Sequence, residues 1–401
     1  MSREPLEAPA LSRARLAVLS ATLATAVGLG TFPSFAFGVL APFLRDEFGL
    51  SRSNLGLLTT FFFVVGAPAS LAAGRVVDVA GGRSLLTAHF AAVAVTIVCL
   101  ASAPSYGWLL LMSGLAGIPL AMSNPVTNKL VAHHASSGAR GVIMGVKQSG
   151  VQMGAVSAGL VLPAAAHAWG WRAAIAIGLL PVALGLVGTL SVPTHGPARD
   201  VARTEERLGA SRGLRALTVY AFLMGSGMAA MIAYLPLYAE ERIGLSVTAA
   251  GALASSMGLM GVVARIFWGW RSERFSHLSL PLAVMSGGAV VGAALILLAQ
   301  AVGSWVLVPA AALIGGTGAA WMAVGMLAIV TEVHGGQTGR ASGMIIFGFF
   351  CGCIVSPLLF GYSVDETGSY APGWLGVLTV FGLAGLIAIR WRRAWIREAA
   401  P

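Results

Sequence analysis

The sequence predicts an all-α membrane protein with about twelve transmembrane helices arranged as two pseudo-symmetric halves of six. Three observations support this fold class. Of the 401 residues, 57% are hydrophobic and 10% are charged, whereas soluble domains carry about 25% charged residues. Apolar runs of roughly 20 residues, enough to span a bilayer, recur along the whole chain. The longest polar segment lies near the middle of the chain, so no sizeable soluble domain is expected.

The predicted helices are the apolar runs that charged or Gly/Pro-rich turns separate. They cover residues 16–43, 53–77, 84–103, 107–132, 139–164, 171–192, 215–239, 247–271, 278–301, 304–332, 340–364 and 371–391. The first run is much longer than the apolar core of a cleavable signal peptide, which has roughly 7–15 residues. We therefore interpret it as the first transmembrane helix.

The polar segment after the sixth helix divides the chain into domains. We predict an N-terminal six-helix half over residues 1–192, a cytoplasmic linker over 193–214 and a C-terminal half over 215–401. Apart from Arg45, Arg52, Arg172 and Arg242, the arginines in the loops all fall on one side of the predicted membrane. The positive-inside rule then places both termini in the cytoplasm, and a cytoplasmic (inner) membrane is the expected location.

The composition argues against several other classes of protein. The 52 glycines suit close packing of membrane helices, and the net charge of +10 is scattered over loops rather than clustered as in a nucleic-acid surface. Cys99, Cys351 and Cys353 lie in apolar runs without metal-ligand spacing, so neither a disulfide nor a metal site is expected. The sequence has no ATP-binding loop and no converging catalytic cluster. We expect neither a cofactor nor enzymatic activity.

The two halves repeat a short motif after the second and the eighth helix. In each copy a glycine is followed four residues later by an acid and then by an arginine. The first copy comprises Gly74, Asp78, Gly82 and Arg83, and the second comprises Gly269, Glu273 and Arg274. Arg140 and Arg340 likewise precede the fifth and the eleventh helix. Two similar halves around a central site are typical of transporters that work by rocking.

These motifs resemble those of the major facilitator superfamily, whose loop signature between the second and third helices has this pattern. The resemblance covers nearly the whole chain and implies a twelve-helix transporter that works by alternating access. Residues 37–53 and 264–269 are further similar to the bacterial monocarboxylate and oxalate/formate transporter group, which carries organic anions. The chain differs from related carriers at Ala41 and Gly261 and has no lysine in its eleventh helix. The resemblance therefore leaves the exact substrate and proton coupling open.

Two cations inside the predicted helices are the first candidate substrate-binding residues. Lys147 and Arg265 each cost about 2.5–3.5 kcal/mol at the centre of a membrane helix, so we expect them to line the central path. Each could instead extend to the cytoplasmic surface or bind a helix carbonyl. Gln148 and Gln152 form a polar sector beside Lys147, although such glutamines can also join two helices as packing contacts.

Three further candidates for the cavity wall each belong to a polar or aromatic pair spaced at i, i+4 on one helix face. They are Asn124 with Asn128, Tyr234 with Tyr238, and Trp321 with Thr317. Each pair has a packing alternative, and Tyr238 lies where aromatic residues mark the membrane surface.

The distribution of acidic residues favours a small organic anion as substrate. All 15 acids lie in loops or at helix ends, so a cavity that contains Lys147 and Arg265 is electropositive. We predict a secondary active transporter for a small organic anion, with a carboxylate expected, by proton symport or anion exchange. An efflux antiporter for drugs or other amphipathic compounds is the alternative. His89 could carry a proton, or it could be a packing residue.

The expected partners are the anionic substrate, the lipid bilayer and, in the case of symport, protons. No nucleic acid is expected, and the functional unit is predicted to be a monomer. We further predict two gating pairs between the halves, Asp78 with Arg340 and Glu273 with Arg140, that favour an outward-facing state. The alternative is that these charges only fix orientation and cap helix ends.

Overall fold

The structure is a computed structural model, and it describes residues 13–50, 52–136, 138–192, 212–332 and 337–399. The described residues are almost entirely helical. The helices are α1 (Arg13–Val39), α2 (Ala41–Phe48), α3 (Arg52–Val79), α4 (Gly82–Ala101), α5 (Tyr106–His134), α6 (Arg140–Ala176), α7 (Leu179–Thr189), α8 (Arg212–Glu241), α9 (Val247–Ser272), α10 (Ser279–Val302), α11 (Leu307–Leu313), α12 (Trp321–Glu332), α13 (Thr338–Thr367) and α14 (Ala371–Ala399). Of the predicted linker, residues 193–211 lie outside the described part, and α8 already begins at Arg212.

Eleven helical segments of the described chain are long and apolar enough to cross a membrane. One of them, Arg140–Thr189, has 50 residues and would be about 75 Å long as a straight helix, which is more than twice the bilayer core of about 30 Å. Gly170 interrupts it with φ 83° and ψ 158°, a conformation that favours glycine. This break separates the predicted fifth and sixth helices, and the all-helical twelve-span fold is confirmed.

The predicted tenth helix is interrupted in the structure. A short 3₁₀ turn, Ser304–Val306, precedes α11, and a π-helical turn, Ile314–Gly318, separates α11 from α12. A Cβ atom at Gly315 would lie 2.3 Å from the carbonyl oxygen of Met257 in α9. The glycine therefore lets the irregular turn pack directly on the backbone of α9. Single π-helical turns of this kind are frequent near functional sites.

The two halves, α1–α7 and α8–α14, meet chiefly where α3 crosses α13 and where α6 crosses α9. Both crossings depend on glycine pairs. A Cβ atom at Gly74 would lie 2.5 Å from the Gly339 carbonyl oxygen, and one at Gly141 would lie 2.0 Å from that of Gly269. The crossings lie at one end of the bundle, which we call the basic face. The arginines on this face include Arg75, Arg83, Arg140, Arg271, Arg274 and Arg340.

Candidate functional site

Lys147 lies in α6 with a fully buried side chain. Its Nζ donates hydrogen bonds to Oδ1 of Asn128 and, at 3.2 Å, to Oδ1 of Asn124, both in α5. Gln148 Nε2 donates to the same Asn124 oxygen at 2.8 Å. The structure thus brings three of the predicted site residues together between α5 and α6, and the lysine points towards neutral amides rather than to the membrane surface.

Arg265 lies on α9 in the second half and reaches the first half. Its side chain is 7% exposed, and Nη1 donates to Oε1 of Gln152 on α6. The helices can approach because Gly145 has no Cβ, which would otherwise lie 2.5 Å from the Arg265 carbonyl oxygen. Nε of Arg265 is buried without a hydrogen-bond partner among the described residues. This guanidinium therefore has an unused donor inside the interface between the halves.

The electrostatics of this cluster are unusual because both buried cations have neutral partners. By contrast, Arg172 forms an ion pair with Glu47 at 2.7 Å, at the end of the bundle opposite the basic face. A hydrogen bond from Trp171, assisted by Arg172, lowers the pKa of Glu47. Removing a charge from water costs several kcal/mol unless an opposite charge compensates it. An anion at Lys147 and Arg265 would replace neutral amide acceptors with acceptors of opposite charge, which both cations attract more strongly.

The aromatic candidates lie in packing contacts of the second half. The Tyr234 hydroxyl donates to the Pro357 carbonyl at 2.9 Å, and its ring stacks on Phe360 with centroids 4.3 Å apart. The Trp321 side chain is 1% exposed and lies between Tyr220 and Phe349, at centroid distances of 5.6 and 5.9 Å. The described contacts of these two residues include neither Lys147 nor Arg265.

The other members of the two i, i+4 pairs also bond within the second half. The Tyr238 hydroxyl donates to the Ile296 carbonyl at 3.2 Å, and the Thr317 hydroxyl of the π-helical turn donates to the Leu313 carbonyl at the end of α11 at 2.5 Å. His89 is fully buried in the first half, and its Nε2 lies 3.0 Å from the Ala26 carbonyl oxygen. It thus joins α4 to α1.

Asp78 and Glu273 bind the opposite half through backbone N–H groups rather than through arginine side chains. Asp78, 2% exposed, accepts from the N–H of Gly339 at 2.7 Å and of Arg340 at 2.9 Å. Glu273 accepts from the N–H of Gly141 at 2.6 Å. The N-termini of α13 and α6 offer unsatisfied donors and partial positive charge, so a carboxylate can bind them without a side-chain partner.

Burial raises the pKa of Glu273 above its ordinary value of 4.5, although the Gly141 hydrogen bond and the charge of Arg140 oppose the rise. The Arg140 guanidinium itself caps the end of α5, with Nε 3.1 Å from the Ala135 carbonyl oxygen. Among the other motif residues, Arg274 lies over the Trp270 ring at 4.5 Å. Gly82 lets α4 approach α5, since a Cβ there would lie 2.7 Å from a methyl carbon of Leu130. Arg83 is partly exposed.

Lys129 has a structural role that sequence reasoning did not assign. Its side chain is 8% exposed, and Nζ donates to the carbonyl oxygens of Val77 at 2.5 Å, Asp78 at 3.1 Å and Ala80 at 2.8 Å. It therefore satisfies the free carbonyls at the end of α3 and holds the backbone of Asp78 in place. The available signal is its position near the end of an apolar run.

Comparison with known proteins agrees with this architecture. The probable sulfoacetate transporter SauU of Cupriavidus necator is 25% identical over 83% of this chain and 83% of its own length. The hexuronate transporter of Bacillus subtilis is 25% identical over 91% of this chain and 92% of its own length. The transporter FucP, in an outward conformation, superposes with a TM-score of 0.72 at 17% identity, over 94% of this chain and 98% of FucP. Residues 23–332 match the Major Facilitator Superfamily, and the chain belongs to that superfamily.

Proposed function

We propose that the protein is a secondary active transporter that moves a small organic anion, with a carboxylate expected, across the cytoplasmic membrane. The observation that carries this proposal is the pair of buried cations, Lys147 in the first half and Arg265 in the second, whose described partners are amide oxygens. An anion between them supplies the missing opposite charge. A lipophilic cation in the same place adds to the repulsion, which disfavours the efflux alternative.

The position of the two cations on opposite halves suits alternating access. In a rocking carrier the substrate lies between the halves and interacts with both. An anion that contacts Lys147 and Arg265 together screens the repulsion between the two charges. Gln148, Gln152 and Asn124 then bind the remaining polar groups of the substrate. Substrate binding thereby favours the conformations in which both halves surround the anion.

Two similarities support an organic acid as the substrate class. The names of the Cupriavidus and Bacillus relatives specify sulfoacetate and hexuronate, both organic acids. The resemblance of residues 37–53 and 264–269 to the monocarboxylate and oxalate/formate group points to the same class. Transport couples either to a proton or to a second anion. An imposed pH gradient separates these modes, since it drives net uptake only in symport.

We assign the basic face to the cytoplasm, together with both termini. The glycine crossings and the bonds of Asp78 and Glu273 then hold the cytoplasmic side closed, in an outward-facing state. Rocking to the inward-facing state breaks both sets of bonds at once. Because each carboxylate binds a helix N-terminus, the two contacts can re-form without precise placement of long side chains.

Counterflow in proteoliposomes tests the proposal. The substrates are labelled acetate, lactate, oxalate, sulfoacetate and glucuronate, with tetraphenylphosphonium as a lipophilic cation. We expect at least one anion to exchange, and we expect Lys147→Gln and Arg265→Gln each to reduce that exchange about a hundredfold, the equivalent of about 2.7 kcal/mol. Arg397→Gln, which removes an exposed charge from the end of α14, is the control and retains activity. Transport of the cation alone, unaffected by either substitution, overturns the anion proposal.

A further inference from the structure

Asn128 lies at the centre of a buried hydrogen-bond chain that crosses between the halves. Its Oδ1 accepts from Lys147, and its Nδ2 donates to Oγ of Ser342 on α13 at 2.8 Å. The same Nδ2 lies 3.1 Å from Sδ of Met326 on α12. Asn128, Ser342 and Met326 are all fully buried. A side chain of α5 therefore joins the candidate anion site of the first half to two helices of the second.

The chain leads directly to the contact that closes the basic face. Ser342 lies within one helical turn of Gly339 and Arg340, whose N–H groups bind Asp78, and its hydroxyl donates to the Thr338 carbonyl at 2.7 Å. On α5, the next residue after Asn128 is Lys129, which holds the end of α3. Adjacent residues of α5 thus contact both helices of the α3–α13 crossing.

The charge of Lys147 supports the hydrogen bond to Ser342. An ammonium that donates to the amide oxygen polarises the amide and strengthens its N–H groups as donors, because linked hydrogen bonds are cooperative in a medium of low polarity. It also fixes the orientation of the amide plane. A carboxylate attracts the ammonium more strongly than a neutral amide oxygen does, because it carries a full opposite charge. Anion binding therefore shifts Nζ away from Asn128 and weakens the bond between the halves.

We propose that Asn128 is a positioning residue that couples anion binding at Lys147 to release of α13 from α5, and so to opening of the basic face. This inference rests on the proposed function. The coupling keeps the basic face closed until the substrate binds. The two amides near Lys147 then have different tasks: Asn124 lies within the site, whereas Asn128 transmits its occupancy to the other half.

Distance measurements between spin labels test the coupling. Labels on cysteines that replace Ser84 and Ser276, exposed residues of opposite halves on the basic face, report its opening in a background without the native cysteines. Some anions of the counterflow panel should bind the unsubstituted protein. We expect each of these anions to increase the population of molecules in which the two spin labels are far apart. Without anion, Ser342→Ala should raise the ratio of open to closed molecules about fivefold. This factor corresponds to the loss of one hydrogen bond with a net contribution of about 1 kcal/mol.

The variants Asn128→Ala and Ser342→Ala should both lose most of the anion-induced shift, and Ser342→Ala, which lies outside the anion site, should still bind the anion. The matched control is Ser226→Ala, a buried serine whose hydroxyl donates to Phe222 of its own helix at 2.9 Å, and it should respond like the unsubstituted protein. If the anion binds in a Lys147-dependent way but Ser342→Ala matches Ser226→Ala in both readouts, the coupling is overturned while the proposed function stands. If none of the anions of the counterflow panel binds the unsubstituted protein, both the proposed anion transport and the proposed coupling are wrong.

Discussion

Lys147 and Lys129 lie on neighbouring helices of the same half, yet their contacts differ in kind. Lys129 donates to three carbonyl oxygens at the end of α3, which is the task of a helix cap. Lys147 donates to amide oxygens that can rotate away or be replaced by a ligand. At the scale of single residues, the partner of a buried cation distinguishes a structural charge from a candidate binding charge.

Gly261 offers a test of the electrostatics of the site at the same scale. A Cβ atom at this position would lie 3.7 Å from Nη1 of Arg265 and 3.3 Å from Cβ of Ala319, so a short side chain can be placed beside the guanidinium. Gly261→Asp should lower the affinity for the transported anion about tenfold, the factor that about 1.4 kcal/mol represents, because the new carboxylate neutralises Arg265.

The matched control for this substitution is Gly261→Asn, which has the same shape without the charge. Equilibrium binding of the anion in detergent measures both variants over a range of salt concentrations. The difference between them should shrink in high salt, since ions screen the introduced charge. Equal affinities of the aspartate and asparagine variants would contradict an electrostatic role of Arg265.

At the scale of helices, the crossings between the halves depend on glycine. Gly74 with Gly339 and Gly141 with Gly269 bring backbones into direct contact, and each crossing ends in a carboxylate that binds the N-terminus of the partner helix. Each carboxylate contact consists of one or two hydrogen bonds, so a small rotation of the helices breaks it. Such a contact suits a gate better than a broad, interlocked interface.

Gly141→Ala should disrupt the α6–α9 gate. The added methyl group would lie 2.0 Å from the Gly269 carbonyl oxygen, so the helices must separate. Overpacking of this kind costs about 1–3 kcal/mol, which corresponds to a transport rate about 5-fold to 160-fold lower. Gly159→Ala on the same helix is the control, because nothing lies within 4 Å of its Cβ position. Counterflow rates measure both, and equal rates would exclude the crossing as a gate.

For the whole molecule, the basic face defines an orientation that can be tested on α4 alone. Ser84 and Ser102 are exposed residues near opposite ends of this helix. In intact cells, a membrane-impermeant maleimide should label Ser102→Cys and leave Ser84→Cys unlabelled, because the positive-inside rule places the basic face in the cytoplasm. Inverted membrane vesicles should give the reverse pattern. The opposite labelling pattern in both preparations would show that the basic face lies outside the cytoplasm.

Two helix breaks show how much of the helix structure can be predicted from local sequence. One lies between the predicted fifth and sixth helices, and the other lies within the tenth helix. The first was foreseen, because polar and charged residues interrupt the apolar run near Gly170. The π-helical turn at Ile314–Gly318 was not, because no charged residue interrupts the predicted span there. That turn depends on the approach of Gly315 to Met257, which is a contact between distant segments.

The sequence by itself determined the fold class, the twelve spans and the repeated motif, because a bilayer requires long apolar helices and leaves charges at their ends. It also identified Lys147 and Arg265 as costly buried charges. Only the tertiary structure decided their partners. Asn128 and Ser342 are 214 residues apart, and the bonds of Asp78 are to backbone N–H groups that every residue type except proline has. No local pattern encodes such pairs, since they exist only once the two halves have packed together.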